Sequence, residues 1–252
     1  KHRRRMNVGQ YSMSVPRASK IPLISERSYV SITLYSQKRN REMELHRFFK
    51  KNERILEYFL SRLPSVTFAV VFCSSASYSW IDAFCQRVHL SYVNVHEMDM
   101  VHARKVGPML SGKPSLLYVF TEGTEFWIIK SFLENCKQFP SMIVTSFNYI
   151  MGWGPKITTP FPKNNAVKRL YDVNYQGCSL HGLIALLRKY NYRYTGLFRY
   201  AQGVVFVRDD EYRPLHPFQE PAPNDMLTLP NVKYALKHRW PKVKHKFWIQ
   251  VT

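Results

Sequence analysis

A chain of 252 residues that is 45% apolar and 15% aromatic can bury a full hydrophobic core, which excludes disorder throughout. No apolar run approaches the roughly 18 to 20 residues that cross a bilayer, so a soluble protein without a membrane span is expected. The formal net charge of +20 directs attention to polyanions as partners. Residues 1–40 read as a basic extension, with no acid before Glu26 and no apolar periodicity. From Glu42 to Leu63 the residues Leu45, Phe48, Phe49, Ile55, Leu56, Phe59, Leu60 and Leu63 form a helical stripe that stops at Pro64. Val66–Cys73 reads as a buried strand, Tyr78–Val88 as a helix and Ser91–Val95 as a second strand. A strand over Ser115–Phe120, a helix over Glu125–Cys136 and a strand over Met142–Phe147 follow. Beyond the Gly- and Pro-bearing link Gly152–Pro162, a helix is expected at Ser179–Tyr190. Two strands, Tyr192–Phe198 and Val204–Val207, then turn at Gln202 and Gly203. This alternation predicts a Rossmann-like α/β domain over 41–215, with a mostly parallel sheet covered on both faces and an antiparallel pair at its end. Residues 216–252 read as a second basic extension, rich in aromatics.

Charge concentrates at the two ends. Lys1–Arg62 holds 15 basic against 5 acidic residues and Asn231–Thr252 holds 6 against none, whereas Leu63–Pro162 is nearly balanced at 7 against 6. Two arms of one sign around a near-neutral middle are suited to neutralising phosphate. The residues expected to do so are Arg3, Arg4, Arg5, Arg17 and Lys20 in the first arm, and Lys237, Arg239, Lys242, Lys244 and Lys246 in the last. Tyr234, Trp240, Phe247 and Trp248 are interleaved with the closing bases, and Trp240 and Trp248 are candidates for stacking on unpaired RNA bases.

Residues suited to other chemistry are scattered. Cys73, Cys85, Cys136 and Cys178 lack the close spacing of zinc knuckles and read as free core thiols, and His89, His96 and His102 share no ligand-type spacing, so no metal is expected. Ser179 and His181 stand near a helix start, where Ser179 reads as an N-cap rather than a nucleophile. Asp209, Asp210 and Glu211 follow the last strand beside Arg208 and Arg213 and read as a charged turn.

Five segments taken in order resemble the FkbM-type S-adenosylmethionine-dependent methyltransferases: Tyr118–Lys130, Met142–Tyr149, Ile157–Pro160, Gly177–Tyr190 and Gly203–Asp209. The resemblance covers about residues 66 to 210 and implies a class I methyltransferase fold. That family places an Asp before a hydrophobic residue, an acid and a glycine; here Phe120 stands at the Asp position, while Glu122 and Gly123 remain. The family's Glu ahead of an aromatic–Asn pair is Ser146, followed by Phe147 and Asn148. Gly152–Pro155 is similar to the family's loop over the substrate mouth. A nucleotide-type cofactor needs a glycine-rich turn after the first strand, because side chains there take the ligand's space. The matching stretch, Phe72–Trp80, contains no glycine: Ser74 and Ala76 stand in the turn, and Tyr78 and Trp80 crowd it. The acid expected near Phe72 is missing, and Glu97 remains as a candidate ribose-binding carboxylate.

The expectation is therefore a degenerate methyltransferase-like domain with no cofactor and no catalytic activity. It would serve as a structural, RNA-binding component of a large ribonucleoprotein, the mitochondrial ribosome or its assembly intermediate in the matrix, contacting ribosomal RNA and neighbouring proteins. The Arg-rich, acid-poor beginning also fits the remnant of an organellar targeting segment. Two readings of other classes stay open: an active methyltransferase acting on RNA or protein, and a protein-docking scaffold without RNA contact.

Overall fold

The computed structural model describes residues 56–61, 63, 65–73, 75–95, 100–121, 123–151, 154–161, 174–197, 203–210 and 230–252. Residues 56–60 are helical (α1) and lead to β1, Phe68–Cys73. There follow α2 (Ser75–Arg87), β2 (Ser91–Asn94), α3 (Met100–Met109), β3 (Leu116–Phe120), α4 (Glu125–Leu133) and β4 (Met142–Ser146). A 3-10 turn at Tyr149–Met151, β5 (Ile157–Thr158), α5 (Leu180–Arg188), β6 (Tyr192–Leu197) and β7 (Gly203–Arg208) come next. The chain closes with α6 (Pro230–His238), α7 (Trp240–Val243) and β8 (Ile249–Gln250).

Six strands form one mixed sheet in the order β2-β1-β3-β4-β7-β6. The first four run parallel, with Cys73 opposite Phe120 and Leu116 opposite Met142. β7 runs antiparallel to β4 and to β6, the reversed pair expected at the end of the sheet. Parallel strands buried on both faces must be apolar without interruption, and five of the six β1 residues are buried. Alternate residues face opposite layers. Val70, Phe72, Leu117, Val119, Ile143 and Phe206 pack with residues of α3, α4 and α5, while Ala69, Val71, Leu116, Tyr118, Val144 and Val205 pack with α1 and α2. Fully buried Ile128, Ile129 and Phe132 fasten α4 to the first layer, each worth roughly 1.5–3 kcal/mol of burial.

Three features depart from what the residue pattern predicts. α2 begins at Ser75, three residues before the apolar periodicity starts. α3 has no counterpart among the expected elements: Ala103 and Gly107 are its buried residues, too few to make a stripe, and Pro108 sits inside its last turn. Gly107 lets α3 lie against α4's end, since a Cβ there would meet Cys136 main-chain atoms at 3.0 Å. The closing segment is also not a detached arm. Val232, Ala235, Val243 and Val251 are buried, and β8 pairs with β5 through Thr158–Ile249 and Ile157–Gln250. Val232, Ala235 and Leu236 form a short i, i+3, i+4 stripe, and Val232 and Leu236 belong to the layer built around α4 and α5.

Candidate functional site

In an open α/β sheet a ligand lies outside the carboxyl ends of the strands, where neighbouring connections leave in opposite directions. That place falls between β1 and β3, flanked by β2 and β4. One residue separates the end of β1 from the start of α2. Phe120 stacks on Tyr118 at 4.5 Å between ring centroids, Tyr118 lies 5.7 Å from Trp80, and Trp80 stacks on Phe84 at 5.6 Å. Trp80, expected to crowd a cofactor turn, is instead a buried core residue at the centre of this ring column. Tyr118 Oη is buried and has no hydrogen-bond partner among the described residues, so this tyrosine is held for its ring and not for its hydroxyl. Burial pushes its pKa far up. Ala76 and Tyr78 fall within α2, whereas Ser74, Glu97 and Glu122 lie outside the described residues.

A second place lies one strand further on, at the ends of β3 and β4. A cleft of about 200 Å³ is walled by Gly123 and Glu125, by Ser146, Phe147, Asn148, Tyr149 and Ile150, by Gln176 and Gly177, and by Arg239 from the end of α6. Gly123 and Gly177 face each other with φ of 116° and 72°, conformations that an L side chain rarely adopts. A Cβ on Gly123 would also meet that of Gln176 at 3.0 Å.

Glu125 organises the inner wall. It is 3% exposed, at the first position of α4, where the helix dipole favours a carboxylate. Oε1 accepts from Thr121 N at 3.0 Å and Ser146 Oγ at 2.5 Å, and Oε2 accepts from Gly123 N at 2.9 Å. Both amides precede the helix, whose own Trp127 and Ile128 amides donate to Thr124 O. Burial pushes the Glu125 carboxyl up from its ordinary pKa, against the pull of the donors. The hydroxyl at position 146 therefore supplies a donor where an acid would oppose Glu125. Asn148 ties two walls together, giving Nδ2 to Gln176 O at 2.7 Å and accepting from Ile150 N at 3.0 Å.

The outer wall is basic and aromatic. Arg239 Nη1 donates to Tyr149 Oη at 3.1 Å, and its guanidinium lies 5.8 Å from the Tyr234 ring centre. Lys237, Lys242 and Lys244 are exposed. Arg239 and Lys246 are half-buried, with Lys246 Nζ 4.9 Å from the Tyr175 ring centre. Trp240 and Trp248 are not free stacking rings: they pack on each other, Trp248 packs edge-on against Tyr175, and its Nε1 donates to Val243 O. The rings that face solvent are Tyr234, 57% exposed, and Phe247, 72% exposed. Arg3, Arg4, Arg5, Arg17 and Lys20 lie outside the described residues.

The remaining candidates are structural. Ser179 caps α5, accepting from Gly182 N at 3.0 Å and donating to Pro155 O at 2.6 Å, while His181 Nδ1 contacts Gly154 O. Asp209 pairs with Arg193 at 2.7 Å and Asp210 with Arg208, making a charged turn; Glu211 lies outside the described residues. The four cysteines are free thiols, and burial pushes Cys73 and Cys85 up to about 12 and Cys136 up to about 11. Among the described residues no group of three or more His, Cys, Asp or Glu is placed to hold a metal, and no helix is long and apolar enough to cross a membrane. No family model matches the chain, and no curated protein matches it in sequence.

Proposed function

We propose that this chain is a degenerate, FkbM-like methyltransferase domain that no longer methylates, and that it acts as an RNA-binding structural component of a large ribonucleoprotein. The mitochondrial ribosome, or a precursor of it in the matrix, is the particle we infer, with ribosomal RNA and adjacent proteins as partners. The observation that carries the RNA reading is the composition of the closing segment's surface: Lys237, Lys242, Lys244, Tyr234 and Phe247 are all exposed, on a stretch without an acid. Phosphate neutralisation is the role of the lysines, and the charge of the first arm adds to it.

Loss of catalysis rests on the other strand ends. The reversed β7 between β4 and β6 agrees with the fold that the resemblance implies, yet the turn after β1, where such a fold would hold its cofactor, contains no glycine. Phe120 also removes the carboxylate that the family carries there. The test is sedimentation of the tagged protein from an organellar extract, with and without ribonuclease, while each fraction is probed for ribosomal RNA. Co-migration with a ribosomal subunit or precursor that collapses on ribonuclease treatment is expected. Migration as a free protein at its own mass of 29.8 kDa, together with S-adenosylmethionine binding in equilibrium dialysis, would overturn the proposal in favour of an enzyme.

A further inference from the structure

We infer that the β3–β4 cleft and the two exposed rings beside it form a single-strand-specific RNA site, with one unpaired nucleotide at the cleft and its neighbours stacked on Phe247 and Tyr234. The inference rests on the RNA-binding reading above and narrows it to a substrate class. Phe247 is 72% exposed although the chain around it is fixed. Its carbonyl accepts the Tyr175 hydroxyl, Trp248 Nε1 is held by Val243 O at 3.1 Å, and Ile249 pairs with Thr158. A rigid backbone that presents a large ring to water, next to Lys244 and Lys246, is a stacking platform already in place, so a base that lands on it orders little else.

Both residues link to the cleft through one other residue, Tyr234 by its ring and Phe247 by its main-chain carbonyl. Tyr234 is in contact with Arg239, which lines the cleft, and Tyr175, which holds the Phe247 carbonyl, precedes Gln176, which also lines it. The cleft offers the groups an unpaired nucleotide uses. Gln176 brings a carboxamide that can both donate and accept. Arg239 brings a guanidinium with five N–H donors, one of them committed to Tyr149. On the outer face of α6, Lys233 and Lys237 lie one turn apart and are exposed, a spacing suited to successive phosphates. A paired duplex keeps its bases stacked on one another and cannot offer a ring face to Phe247 or an edge to the cleft. Protein interfaces are depleted in lysine, so lysines spaced between isolated rings favour nucleic acid as the occupant.

The experiment uses the full chain and two fluorescent probes, a mixed-sequence 12-nucleotide single-stranded RNA and the duplex of the same sequence, in anisotropy titrations at low and moderate salt. The wild type is expected to bind the single strand roughly tenfold or more tightly than the duplex. Phe247→Ala is expected to weaken single-strand binding about tenfold while changing duplex binding less than about twofold, and Phe247→Trp to restore it. Phe247 is exposed, so its substitution does not threaten folding. Equal affinity for both probes with no response to Phe247→Ala would overturn this inference and leave general RNA binding intact. Failure of the wild type to bind either probe at low salt would overturn both.

Discussion

The two strand-end sites of the sheet are neighbours, separated by the width of β3, yet they are built oppositely. On the α2 face of β1 and β3 the rings of Phe84, Trp80, Tyr118 and Phe120 pack together, and Tyr118 Oη among them has no partner among the described residues. Between β3 and β4 lies a cleft with two facing glycines, lined by a carboxylate, amides and an arginine. The first site has the chemistry of a core and the second the chemistry of a binding surface. The basic closing segment contributes Arg239 to the lining of the second site.

The largest effect expected is from Trp80→Ala. It removes the centre of the ring column and should cost about 3–5 kcal/mol in urea unfolding, without conferring S-adenosylmethionine binding in dialysis. A small cost accompanied by cofactor binding would show that the rings plug a usable site. Glu125→Ala should cost about 2–3 kcal/mol, because Thr121 N, Gly123 N and Ser146 Oγ are deprived of their common acceptor. Glu125→Gln tests the same residue by pH. With the folded carboxyl pushed up, the native state holds the proton more tightly than the unfolded chain. Its contribution is full at pH below the ordinary carboxylate value and declines as pH rises through the raised one. The Gln variant should flatten that decline, and an unchanged pH profile would contradict the assigned burial cost. Tyr118→Phe should be neutral or add about 1 kcal/mol, since it deletes a buried hydroxyl that has no described partner. The smallest effect is on a slope: replacing Lys237, Lys242 and Lys244 by Gln should lessen the dependence of log Kobs on log salt by about 0.7 for each phosphate of a single-stranded RNA that the variant no longer neutralises.

Much of the sheet was legible because its strands are buried on both faces and appear as unbroken apolar runs such as Phe68–Cys73 and Leu116–Phe120. The reversed pair was legible from the turn residues before Val204. α3 was not, because a helix that buries little more than Ala103 and Gly107 leaves no periodic trace. β5 and β8 are two residues each, too short for any period, and they meet across about 90 residues of chain. The cleft was hidden for a related reason: its walls come from four separate stretches, and the role of Glu125 depends on a hydroxyl at Ser146 that only folding brings within reach. Basic residues in the closing segment were readable from sequence. Which rings face water was not, since Trp240 and Trp248 share their neighbourhood with Phe247 and differ from it only in what they pack against.

The most direct test of RNA binding through this surface is the salt dependence of affinity for a single-stranded RNA, measured on the full chain and on the Lys237, Lys242 and Lys244 triple Gln variant. Binding through these residues predicts a steep wild-type slope, at least about −3 in log Kobs against log salt, and a shallower slope for the variant. A flat wild-type slope, or identical slopes for the two proteins, would contradict it.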